Sequence, residues 1–319
     1  MGTRDLVDPE LLPWLDAYPS TDLRTENLAE HRQALSKAMQ IELPPGVSVT
    51  RVLAPSIAGG PDVPLFVYQP VEARSSRPGL IHIHGGGFVL GGAVDWGAEC
   101  GLLALEQNIV VASVDYRLAP ETPFPGPLED CYAALSWLHG AAEELAVDPR
   151  RIAIYGDSAG GGLAAALALA ARDRGGPPIC AQFLTCPMLD HRTGSPLSPY
   201  RNPIAGEFVW TPAHNRFGWR AMMGGADDPS PDHTCSPARA ESLAGLPPTF
   251  MAVGALDLFI DENIDYGRRL AAAGVPIELH IYPGAYHGFH VVPGARITER
   301  YQRDYREAMA RAFFDAPAG

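Results

Sequence analysis

The chain is short of positive charge, of cysteine and of long apolar runs, and each shortage excludes something. Lysine and arginine total 24 against 37 acidic residues, for a formal net charge of −13. That balance argues against general nucleic-acid binding and against docking on an anionic membrane. The five cysteines, Cys100, Cys131, Cys180, Cys186 and Cys235, are widely spaced, odd in number and form no C-x-x-C pair. Neither a disulfide scaffold nor a structural zinc site is expected, and a reducing, cytoplasmic location is. The first ten residues contain no apolar signal region, and no run elsewhere is long enough to span a bilayer. The Ala/Leu run after Ser158 comes nearest, but it is short and Arg172, Asp173 and Arg174 stop it.

What is present suits a large soluble core. Apolar residues make up 46% of 319, enough for one elaborated domain or for two. Residues 1–45 are charged and helix-like, with Leu11, Leu12, Trp14 and Leu15 in one apolar cluster and Leu28, Leu35 and Met39 in a second stripe. Residues 47–52 and 63–68 alternate as an early strand pair. Further strands are expected at 80–84, 109–114, 152–155, 179–184, 249–253 and 277–282. Helices are expected around 102–105, 127–139, 163–171, 262–273 and 297–314. Strand and helix alternate, and glycine-rich breaks fall at strand ends. That rhythm indicates an α/β fold with a mostly parallel central sheet, helices on both faces and functional residues at the carboxyl ends of strands. Between 189 and 246 the rhythm is lost among prolines and aromatics, which reads as an insertion.

One turn organises the rest. Gly-Asp-Ser-Ala-Gly at 156–160 joins a strand to a helix and has the G-x-S-x-G form. So tight a turn needs small residues at both ends, strains the serine backbone and exposes Ser158 Oγ beside a helix N-terminus. A serine hydroxyl becomes a useful nucleophile only beside a base, and the base needs an acid to orient it. His287, in the loop after the last strand, and Asp257, just past the strand before it, are the candidates. Asp261 and Glu262 rank below Asp257, because the first turn of a helix would point them away from the strand end. The order Ser, Asp, His is that of α/β-hydrolases and not of the two older serine-protease plans. Tetrahedral addition also needs donors for an oxyanion. Gly85 and Gly86, after the strand at 80–84, are chosen together with the Ala159 N–H.

Together these motifs resemble the hormone-sensitive-lipase-like family of α/β-hydrolases, which includes bacterial carboxylesterases and is similar to arylacetamide deacetylases. The resemblance runs over about residues 78–315. It is carried by His84-Gly-Gly-Gly-Phe88, Asp115-Tyr-Arg-Leu-Ala-Pro-Glu121 with Phe124, Pro125 and Asp130, Gly156-Asp-Ser-Ala-Gly-Gly161, Asp257 with Asp261 and Glu262, and His287-Gly-Phe289. The sequence departs from it at Asp257-Leu258-Phe259, where the family usually has Asp-Pro-Leu. The resemblance implies an α/β-hydrolase core at 46–188 and 247–319 and a helical cap from 1–45 and 189–246. It also implies no cofactor, and Tyr116, Arg117 and Glu121 as scaffold around the site; His84, Gly87 and Asp157 are counted as scaffold with them.

Two rival chemistries lose. His82-x-His84 and His287-x-x-His290 carry metal-ligand spacing, but the oxyanion glycines directly follow His84, so a hydrogen bond that orients the loop is the simpler role and no metal is expected. Nucleotide binding fails because neither G-x-G-x-x-G nor a Walker lysine is present. A non-catalytic small-molecule receptor on the same fold would not need His287, Ser158 and Asp257 together, and an amidase or peptidase variant would use them on another bond. The expected partner is a small-molecule ester, with a homodimer left open. Trp14, Phe208, Trp210, Phe217, Trp219 and Met223 are the residues available to line an acyl pocket for short to medium chains.

Overall fold

Short runs of Val, Ile, Leu and Ala bounded by glycine and proline build the sheet of this computed structural model, which describes residues 2–18, 22–39, 42–57, 59–72, 76–225 and 231–315. The strands are β1 (Val47–Ala54), β2 (Val63–Pro70), β3 (Arg77–Ile83), β4 (Val110–Val114), β5 (Val147–Asp157), β6 (Gln182–Thr185), β7 (Thr249–Gly254) and β8 (Ile277–Tyr282). They form one sheet in the order β1-β2-β4-β3-β5-β6-β7-β8. β1 pairs with β2, and β2 with β4, antiparallel; all later neighbours are parallel. Every residue of β3, β4, β6 and β7 is buried. Covered on both faces, such strands read as continuous apolar runs without alternation.

The helices are α1 (Leu12–Ala17), α2 (Leu28–Ala38), α3 (Gly97–Gln107), α4 (Gly126–Gly140), α5 (Ala159–Asp173), α6 (Pro212–Met222), α7 (Ile260–Ala272) and α8 (Arg296–Ala310). Two cores result, one per sheet face. Leu128 and Leu135 of α4, Leu163 and Leu167 of α5 and Tyr266 of α7 pack in one. Leu103 of α3 and Tyr301, Tyr305 and Met309 of α8 pack in the other. Among the described residues, no helix is long and apolar enough to cross a membrane.

Several boundaries differ from the sequence reading, among them the start of β5 at Val147 instead of 152. β6 begins at Gln182 and not at 179, because β7, its neighbour, starts only after Pro247 and Pro248; the Gln182 amide donates to the Pro248 carbonyl. α5 begins at Ala159, directly after the serine, so three glycines expected in the turn are helical. Close packing explains their identity. A Cβ on Gly160 would lie 2.0 Å from the Ile83 carbonyl oxygen, and one on Gly156 would lie 2.2 Å from that of Gly160. The last helix closes as α8 plus a π-helical turn at Arg311–Asp315.

Between 189 and 246, α6 is the one α-helix among the described residues, and no strand forms there. Glu262 of α7 anchors the start of this segment. Far from facing solvent, Glu262 is buried and accepts from the Leu189 and Asp190 amides and the Thr193 hydroxyl. Burial, with Asp190 second, raises its carboxyl well above the usual range. The N-terminal segment is fastened elsewhere. Arg32 of α2 pairs with Glu121 through both terminal guanidinium nitrogens and donates to the Val89 and Ala119 carbonyls.

Candidate active site

Sheet order brings the loops together. β3 lies beside β5, with Ile83 opposite Gly156, so the glycine loop after one meets the serine turn after the other. β7 and β8 follow on the far side of β6 and deliver Asp257 and His287. Ser158 sits at φ 53°, ψ −119°, a region that costs a non-glycine residue about 1–3 kcal/mol. Its amide donates to the Thr185 carbonyl, while its own carbonyl accepts from Gly162 and Met188. These bonds and the glycine contacts hold the strained turn in place.

An unbroken hydrogen-bond chain links the three expected residues. Ser158 Oγ lies 2.9 Å from His287 Nε2, and His287 Nδ1 lies 2.8 Å from Asp257 Oδ2. A carboxylate only accepts, so Nδ1 carries the ring proton and Nε2 is free to accept from the serine hydroxyl. Asp257 Oδ1 accepts from the Phe259 amide at 2.9 Å, and the side chain is fully buried. The Phe259 ring meets the imidazole edge-on at 5.2 Å. Asp261, the rival acid, sits half-buried in the first turn of α7.

The glycine loop rests on aromatic and polar supports. The His84 ring stacks between Tyr116 at 4.2 Å and Trp96 at 5.3 Å, and its Nδ1 donates to the Gly85 carbonyl at 2.8 Å. Tyr116 donates its hydroxyl to the His84 carbonyl. Burial pushes His84 down to about 4, leaving a neutral ring that can act as a fixed brace. His82 is turned to a different partner, Ser113, and burial takes it down to about 3. The Gly86, Gly87 and Ala159 amides have no protein acceptor among the described residues. The Gly85 amide is drawn to the Asp157 carboxyl, which burial, and Glu99 after it, push up to about 8.

Of the remaining scaffold residues, Arg117 grips Asp130 with backbone and side chain, and Glu121 holds α2 as described. The aromatics divide. Trp210 lies over Gly87, where a Cβ would meet its ring at 2.1 Å, and 6.3 Å from the His287 ring. Phe208 packs edge-on to Tyr286, next to His287 in the chain. Trp219 is buried in the main core against Phe88, so it serves packing, and Trp14 lies tilted against Tyr18. Phe217 and Met223 are half-buried against the same core as Trp219. Sequence reasoning weighed His290 only as a metal ligand, counted Cys186 only among the free thiols and did not single out Glu99, all of which lie near the site. Cys186 follows β6 directly, and its strand-end position was the available signal.

Fold and site define an α/β-hydrolase, and a family described by the α/β-hydrolase fold matches residues 80–291. The chain belongs to that family, within the hormone-sensitive-lipase-like group its motifs resemble. It is similar to Esterase LipI of Mycobacterium tuberculosis (strain ATCC 25618 / H37Rv), 37% identical over 295 residues and covering 91% of each chain. Carboxylesterase NlhH of the same organism is 34% identical over 305 residues, covering 91% of this chain and 92% of the relative. Among solved structures, a bacterial heroin esterase matches with a TM-score of 0.91 at 40% identity, covering 98% of this chain and 99% of that one.

Proposed function

We propose that the chain is a serine carboxylesterase that hydrolyses short- to medium-chain acyl esters through an acyl-enzyme. The observation that carries this reading is the chain of hydrogen bonds from Asp257 through His287 to a serine held at the start of α5. Ser158 attacks the ester carbonyl while His287 Nε2 takes its proton and returns it to the departing alcohol. Water activated by the same nitrogen then releases the acid. Asp257 keeps the proton on Nδ1 and steadies the imidazolium. Gly85, Gly86 and Ala159 are assigned to the oxyanion. Because the Gly85 amide is engaged by Asp157, the Gly86 and Ala159 amides carry most of that role.

We assign residues 1–45 and 189–246 to a cap over the site. Trp210 above Gly87 and Phe208 beside the His287 loop support a closed apolar pocket on the acyl side. Each buried methylene gains about 0.8 kcal/mol while room lasts. Once packed aromatics must move, overfilling costs about 1–3 kcal/mol. Efficiency is therefore expected to peak at about C4 to C8. The thiols Cys100, Cys131, Cys180 and Cys186 are free, in keeping with a cytoplasmic enzyme.

The decisive experiment is turnover of 4-nitrophenyl esters by the wild type and Ser158→Ala. The variant is expected to lose at least about a thousandfold in kcat without unfolding. Retention of most activity would overturn the assignment. A kcat/KM that keeps rising through long acyl chains would replace the closed pocket with an open groove.

A further inference from the structure

Cys186 occupies the turn that leaves β6, and its backbone is held in the left-handed region at φ 44°. Its amide donates to the Ala252 carbonyl of β7 at 2.7 Å, and its side chain is fully buried. There the sulfur, an Asp257 carboxylate oxygen and a His287 ring nitrogen all lie within 4.8 Å of one another. A metal ion does not suit that trio, because His287 Nδ1 and Asp257 Oδ2 already face each other at 2.8 Å with a proton between them. Burial, and then the negative charge of Asp257, push the thiol well above its ordinary range, so it remains S–H.

Asp257 has an unmet need. A carboxylate offers about four acceptor positions, and the fully buried Asp257 receives one donor on Oδ1 from Phe259 and one on Oδ2 from His287. We propose that Cys186 is a positioning residue whose thiol donates a third hydrogen bond to the Asp257 carboxylate, fixing the acid that orients His287. This proposal rests on the Ser158–His287–Asp257 reading above. A donor on the acid also tempers its basicity and so limits how tightly His287⁺ holds its proton. The other titratable groups beside them are Asp157 and His290, whose nearest atoms are 4.0 Å apart; burial keeps His290 neutral across the assayed range and Asp157 neutral up to about pH 8, where its own ionisation would show on the alkaline side.

The test compares full-length Cys186→Ala and Cys186→Ser with wild type and Ser158→Ala. It reads kcat and KM for 4-nitrophenyl butyrate between about pH 5 and about pH 9, with Tm as the check on folding. A β-branched replacement is avoided because it would strain at this φ. Cys186→Ala is expected to lose about three- to tenfold in kcat with KM little changed, as befits one donor to a charged group. Its acidic limb should move to higher pH, since a more basic Asp257 holds the His287 proton longer. Cys186→Ser keeps a donor and should restore kcat and bring the limb to or below the wild-type position.

A wild-type kcat and limb in Cys186→Ala would overturn the proposal. So would equal impairment of both variants with the limb unmoved, which is the signature of packing alone. If the alanine variant is too unstable to assay, Cys186→Ser decides: a limb above the wild type's overturns the proposal and one at or below it supports it. Activity surviving in Ser158→Ala would instead remove the triad reading beneath it.

Discussion

Asp157 offers a measurement in which the sign and the slope both follow from the site. Its carboxyl is buried, Oδ1 has no protein partner, and Oδ2 faces Gly85. Burial, with Glu99 next, raises it from 3.8 to about 8. His290 stands 4.0 Å away, but burial lowers it to about 3, so the contact joins two neutral groups and is no ion pair at neutral pH. Below about pH 4 the carboxyl is protonated in both folded and unfolded chains, and its contribution is fully present. Between about 4 and about 8 the folded chain keeps a proton that the unfolded chain has lost. Stability then falls by about 1.4 kcal/mol per pH unit, and the loss is complete above about 8. Asp157→Asn is a neutral isostere without this dependence. The stability of the variant minus that of the wild type, from urea unfolding, should climb at that slope across the window and then level. Two pH units amount to about 3 kcal/mol, a sizeable share of a typical total. The buried histidines His82 and His84 titrate in both proteins and cancel. A difference that stays flat from about pH 4.5 to about 8 would mean that Asp157 is ionised in the fold, refuting the reasoning.

Three further outcomes are expected. Asp257→Asn should lower kcat by about four orders of magnitude while Asp261→Asn stays within about tenfold of wild type; the reverse ranking would reassign the acid. Gly160→Ala pushes a methyl into the Ile83 carbonyl, a backbone contact no rotamer relieves. It should cost at least about 1–3 kcal/mol in urea unfolding and slow labelling of Ser158 by a fluorophosphonate. Glu262→Ala leaves the Leu189 and Asp190 amides and the Thr193 hydroxyl without their acceptor. At about 1–3 kcal/mol for each buried group left unpaired, the variant should show a clear fall in Tm.

The sheet was legible because burial on both faces writes a strand as an uninterrupted apolar run. Residues 249–253 needed no partner to be recognised, whereas the edge strand at 277–282 is only partly buried and alternates apolar with polar residues. The triad was legible because its members sit at strand ends, where the chain breaks after such a run. What escaped was set by tertiary contact. Nothing local marks Gly160–Gly162 as helical; the carbonyls of Ile83 and Met188 demand the glycines, and they come from other parts of the chain. Glu262 looked like a dipole-facing acid because the amides it serves lie about 70 residues earlier. Trp219 and Trp210 have the same local character, yet one fills the core and the other stands over Gly87. Aromatic identity alone carries no address.

The polar groups behind the triad suggest how its geometry is held. Each adds a directional contact between two chain segments. Asp157 couples the serine turn to the glycine loop, and Glu262 couples α7 to the chain leaving β6. Tyr301 of α8 bonds Thr185 at the end of β6 at 2.7 Å, tying the helix behind the sheet to the same strand end. Such contacts are directional, whereas apolar packing permits small slides. A strained serine at φ 53° needs that direction, because its favourable hydrogen bond to His287 is lost over a displacement of about 1 Å. Buried polar groups cost desolvation and add little net stability. In this site they are better understood as fixing the relative positions of loops from β3, β5, β7 and β8, a role that packing of Leu and Ala on α5 cannot fill.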